Sequence, residues 1–172
     1  MGNFKEDLLK VKAFVFDVDG VLSGNILMTN DGQQLRTANI KDGYSIQLAG
    51  KKGFRMAIIT GGYSEAIPLR YNMLGINDVY MRSENKVEDF EKFCIKNEIS
   101  PENVLYMGDD IPDLKVMKMV GVPTCPADAA EEIKSISKYI STYRGGDGCV
   151  RDVIEQVLRA QGNWLTQDSY HW

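Results

Sequence analysis

Three short apolar runs, each breaking off in acids, glycine or threonine, constrain this chain more than any other feature. They are AFVFDVD at 13–19, FRMAIIT at 54–60 and NVLYMGDD at 103–110. Runs this short and this uniformly apolar suit strands buried on both faces, as in a parallel sheet. Weaker strands are expected near Asp78–Met81, Gly121–Thr124 and Lys138–Ile140. Helical patterns fall between them, at about 43–51, 64–74, 84–98, 112–119, 128–135 and 148–160, with Pro68 in the first turns of the second.

This alternation predicts an α/β fold: a Rossmann-like parallel sheet with helices on both faces. Residues 25–40 interrupt it, reading as an inserted β-hairpin about Asn30-Asp31-Gly32. At 172 residues one domain is expected, over 1–162, followed by a tail at 163–172. A net charge of −4 offers no basic surface for nucleic acid or anionic lipid. The apolar runs are too short to span a bilayer, and the charged MGNFKEDLLK start does not read as a signal peptide. Cys94, Cys125 and Cys149 lack zinc-ligand spacing and read as reduced, buried thiols of a cytoplasmic protein.

Ligands of open parallel sheets bind beyond the carboxyl ends of the strands, where this chain's polar clusters lie. Asp17-Val18-Asp19-Gly20 places two carboxylates at one strand end. They repel unless a cation or proton offsets them, and magnesium favours such oxygen ligands. One carboxylate of the pair could attack phosphorus while the other moves a proton to and from the leaving oxygen. Asp109 at another strand end can complete a metal site, and Asp110 or Asp113 can orient its waters or cap the next helix. Thr60-Gly61-Gly62 can hold phosphate oxygens, and Lys86 can neutralise them. Taken singly, each cluster has a plainer reading: a solvated turn, a helix cap, an exposed lysine. The order of all four along one sheet edge favours phosphoryl chemistry.

With that order the chain resembles the haloacid dehalogenase superfamily of aspartyl phosphotransferases. The resemblance implies that Asp17 is the nucleophile and Asp19 the general acid/base, with Thr60 and Lys86 holding the phosphoryl group. It implies Mg2+ bound by Asp17, Asp109 and the Asp19 backbone carbonyl, with Asp110 and Asp113 in support. The gaps from Asp17 to Thr60 and from Thr60 to Lys86, about 40 and about 25 residues, leave no room for a cap domain.

Further similar segments, among them NIKDGYSI at 39–46, RYNMLGI at 70–76 and YRGGDGCVRDV at 143–153, resemble the capless sugar-acid phosphatases. That resemblance implies a phosphorylated 2-keto-3-deoxy sugar acid as substrate, above all 3-deoxy-D-manno-octulosonate 8-phosphate (Kdo8P). It also implies a homotetramer in which a neighbouring subunit covers the site. Asn39, Lys41, Asp42, Gly43, Thr60, Gly61, Arg70 and Lys86 are the substrate contacts it implies, with Trp164 and Trp172 in a tail able to enter a neighbour's site. Gly62 stands where many eight-carbon enzymes have Arg and nine-carbon KDN 9-phosphate enzymes have Glu. Met73 stands where the latter carry Lys, which argues against them. A KDN 9-phosphate phosphatase or another capless small-molecule phosphatase remains the alternative. A receiver-type phosphoprotein also uses acids, Thr and Lys on a parallel sheet, but in a different order.

Overall fold

The computed structural model describes residues 4–171. Six parallel strands form one sheet: β1 (Ala13–Phe16), β4 (Arg55–Ile59), β5 (Asp78–Tyr80), β6 (Val104–Met107), β7 (Val122–Cys125) and β8 (Tyr139–Ile140), ordered β5-β4-β1-β6-β7-β8. β1 is therefore central. Its residues alternate between two cores, because successive side chains of a strand point to opposite faces. Phe14 and Phe16 pack with α2 (Ile40–Lys51), α3 (Ala66–Asn72) and α7 (Cys149–Ala160). Ala13 and Val15 pack with α4 (Lys86–Asn97), α5 (Leu114–Met117) and α6 (Glu131–Ile136). A short α1 (Phe4–Leu8) adds Leu8 to the first core.

Two expectations need adjustment, and one about Pro68 holds. The first strand stops at Phe16 rather than running to residue 19. Asp17 N–H still donates to Met107 O (3.1 Å), but the chain then turns through Gly20 at φ +90°. The helix expected from 112 begins as a 3-10 turn over Ile111–Asp113, with Asp110 accepting from the Ile111 N–H. Pro68 is the third residue of α3, a position whose N–H has no helical acceptor.

The hairpin is brief: β2 (Leu27–Met28) pairs antiparallel with β3 (Gln34–Leu35), and all four residues are exposed. The tail folds back on its own chain. Lys52 Nζ donates to Thr166 and Asp168 (2.7 Å each), Tyr44 OH donates to Ser169 O, and Trp164 lies against the Arg151 and Arg159 guanidinium groups. Trp172 falls outside the described residues.

Candidate active site

The carboxyl ends of β1 and β6 are adjacent, so Asp17 and Asp109 leave the sheet side by side. Asp113 reaches the same point from the turn before α5, and carboxylate oxygens of the three lie within 4.8 Å of one another. Asp113 is held from three sides. Lys86 Nζ donates to Oδ1 (2.7 Å), Tyr106 OH donates to Oδ1 (2.7 Å), and the Asp109 N–H donates to Oδ2 (3.3 Å). Lys86, the first residue of α4, also lies 3.0 Å from Asp17 Oδ2, and its side chain is only 7% exposed. Asp110 is exposed and caps the 3-10 turn, so Asp113 and not Asp110 joins the cluster.

Two glycines make this packing possible. A Cβ on Gly20 would sit 1.9 Å from Asp109 Oδ2, and one on Gly145 would sit 2.0 Å from the Gly20 carbonyl oxygen. The loop before α7 thus presses on the turn that carries Asp17 and Asp19.

The electrostatics describe a site short of positive charge. Burial first, and then the Asp17 and Asp113 charges, push Asp109 up to about 7. Burial pushes Asp17 up to about 6 despite Lys86. Burial works to lower the Lys86 ammonium, but Asp17 and Asp113 more than offset it and hold the lysine charged. Oxygen donors closely spaced around one point, carrying more negative charge than one lysine balances, fit a hard divalent cation such as Mg2+.

Thr60, buried at the end of β4, accepts from the Gly62 N–H (3.1 Å). Asp19 has a partner that sequence reasoning missed. Arg36, just after β3, forks onto it with Nε to Oδ1 at 2.7 Å and Nη2 to Oδ2 at 2.9 Å. No periodicity or spacing signal marks an arginine in a short exposed hairpin.

The remaining expected substrate contacts lie at the start of α2 and on α3. Asn39 caps α2 through the Lys41 and Asp42 N–H groups and donates to Gly146 O. Asn39 and Lys41 line a cavity of about 590 Å³ beside α7. Buried Asp42 accepts from the Arg151 N–H (2.6 Å), and burial pushes it up to about 6. Arg70 packs over Gly43, where a Cβ would meet Nη2 at 2.8 Å. Arg70 lines a separate cavity of about 200 Å³ with Arg36, Ser23 and Tyr71. A third cleft, about 440 Å³, holds Gly20, Asp109, Asp128, Arg144 and Asp147.

The chain is similar to known proteins in sequence and fold. A family model described as haloacid dehalogenase-like hydrolase matches residues 69–153. The 3-deoxy-D-manno-octulosonate 8-phosphate phosphatase KdsC of Escherichia coli K12 is 40% identical over 153 residues, covering 88% of this chain and 81% of the relative. The Yersinia pestis phosphatase of the same name superposes with a TM-score of 0.90 at 34% identity, covering 93% of this chain and 87% of the other. The Moraxella catarrhalis phosphatase, crystallised with magnesium, phosphate and KDO, gives a TM-score of 0.90 at 33% identity, covering 94% and 93%.

Proposed function

Since the chain belongs to the haloacid dehalogenase-like hydrolases, and among them to the KdsC phosphatases, we propose that it hydrolyses Kdo8P through a phosphoryl group held on Asp17. The observation that carries this reading is the Lys86 ammonium between Asp17 and Asp113, with Asp109 beside them. Asp17 attacks phosphorus as the ester P–O bond breaks, and Asp19 gives its proton to the departing sugar oxygen. Asp19 then takes a proton from water, which attacks the acyl phosphate, breaks its P–O bond and releases inorganic phosphate. The Thr60 hydroxyl and the Gly61 N–H bind phosphoryl oxygens, while Lys86 holds Asp17 in line and offsets charge. Asp113 fixes Lys86. Asp17, Asp109 and the Asp19 carbonyl would hold Mg2+, which supplies charge neutralisation at the transferring group.

We propose that the protomer works as part of a homotetramer. With no cap over the site among the described residues, the exposed apolar hairpin residues Leu27, Met28 and Leu35 support contact with a neighbour. The scatter of Asn39, Lys41 and Arg70 over separate cavities fits a substrate pocket closed by a second subunit. Among the described residues no helix is long and apolar enough to cross a membrane. The three buried free cysteines support a reducing, cytoplasmic setting.

The test is magnesium-dependent phosphate release from Kdo8P beside KDN 9-phosphate and hexose phosphates, with Asp17→Asn as the blank. Preference for Kdo8P, lost in the variant and on chelation, is expected. Equal turnover of the other esters would overturn the substrate assignment, and inert wild-type protein would overturn the reaction.

A further inference from the structure

Arg36 is out of character for its surroundings. The preceding hairpin residues are exposed, with Leu35 at 46%, yet the Arg36 side chain is only 9% exposed. Two of its nitrogens lie on the two oxygens of Asp19, and the third, Nη1, is buried with no partner among the described residues. An ion pair whose carboxylate side chain is 30% exposed adds little to fold stability, so stability does not account for burying this guanidinium.

Glycine at residue 62 leaves space for the fork. A Cβ there would lie 2.9 Å from Asp19 Oδ2, 3.0 Å from Arg36 Nη2 and 3.5 Å from Thr60 Oγ1. The guanidinium therefore closes on Asp19 directly beside Thr60.

We infer that Arg36 is a positioning residue for proton transfer: its fork fixes the orientation of the Asp19 carboxyl toward the leaving oxygen of the ester. This inference rests on the phosphatase reading above. A bidentate arginine fixes the plane of a carboxyl group, which a lysine point charge does not. Balance is as in the first step above. The ester P–O bond breaks as the Asp17 O–P bond forms, and the Asp19 proton ends on the sugar oxygen. Arg36 exchanges no proton. Because it sits at the root of the hairpin, it ties the aim of Asp19 to the placement of that hairpin.

The experiment compares two esters. Kdo8P leaves as an alkoxide equivalent and needs the proton, whereas p-nitrophenyl phosphate leaves without one. Arg36→Ala is expected to lower kcat/KM for Kdo8P by about 10- to 100-fold and for the nitrophenyl ester by less than about threefold. Arg36→Lys should resemble Arg36→Ala. Gly62→Ala keeps every charge but crowds the fork, and should shift the ratio of the two rates in the same direction. Equal losses on both esters, or rescue by Lys, overturn the inference and leave the phosphatase reading standing. Wild-type protein inert toward both esters, or hydrolysis that persists in Asp17→Asn, brings down that reading and the inference with it.

Discussion

Lys86 Nζ stands 3.0 Å from Asp17 Oδ2, and neither side chain is more than 11% exposed. Breaking a buried pair strands its charge and costs about 3–5 kcal/mol. Lys86→Met retains the stem but leaves Asp17 and Asp113 facing one another without a cation. Denaturant unfolding of the chelated variant should show a loss of that size, partly recovered by excess Mg2+. Turnover should fall by at least about 100-fold. A variant as stable as wild type without metal would contradict this account.

Proton linkage predicts an unusual pH profile for the chelated protein. Asp109 is raised to about 7 and Asp17 to about 6, from an ordinary 3.8. Between those values the folded state keeps protons that the unfolded chain has released. Their stabilising contribution is therefore complete below about pH 4 and lost as pH rises through 6 to 7. Thermal unfolding with chelator should give a lower Tm at pH 8 than at pH 5, and Mg2+ should restore it at pH 8. Asp109→Asn should flatten the profile and blunt the response to metal. A chelated protein with equal Tm at both pH values would contradict the charge imbalance described here.

Gly145→Ala should damage the site from a distance. Its Cβ would collide at 2.0 Å with the Gly20 carbonyl, which is backbone and cannot swing aside. We expect a loss of about 1–3 kcal/mol and a turnover decrease of more than about tenfold. Gly53→Ala is the control, with φ +86° but open space around it, so it carries only backbone strain. It should cost roughly 1 kcal/mol and leave turnover alone.

The assembly proposal predicts that charge on the hairpin separates the subunits. Leu27→Asp with Met28→Asp places two carboxylates on a surface now 66% and 71% exposed. Sedimentation should show a smaller species with little activity toward Kdo8P. An active monomer, of wild type or variant, would contradict a site completed by a neighbour.

Much of this architecture is legible in the sequence because buried parallel strands leave a blunt signature. Phe14, Val15 and Phe16 are all fully buried, so β1 reads as an unbroken apolar run, and the polar residues that stop it mark the functional edge. Asp17, Thr60 and Asp109 are visible for that reason, and Lys86 because it opens a helical pattern. The partners that give them their electrostatics are harder to see. Arg36 meets Asp19 across 17 residues, and the Arg151 N–H meets Asp42 across 109, with only the tertiary fold to bring them together. Asp110 and Asp113 look alike as neighbouring acids. The 3-10 turn separates them, sending one to solvent and the other under Lys86. The tail rests on α2 and α7 through Lys52 and Trp164, contacts with no local sequence cue.

The contact of Gly145 on Gly20 also has a consequence for synthesis. β1 precedes both of its sheet neighbours in the chain, so it must wait for β4 on one side and β6 on the other. A nascent chain ending near residue 140 already carries Asp17, Asp19, Thr60, Lys86, Asp109 and Asp113. It still lacks the strut at 145 that braces the turn at Gly20. The turn that carries Asp17 and Asp19 thus gains its brace only when the loop before α7 is in place.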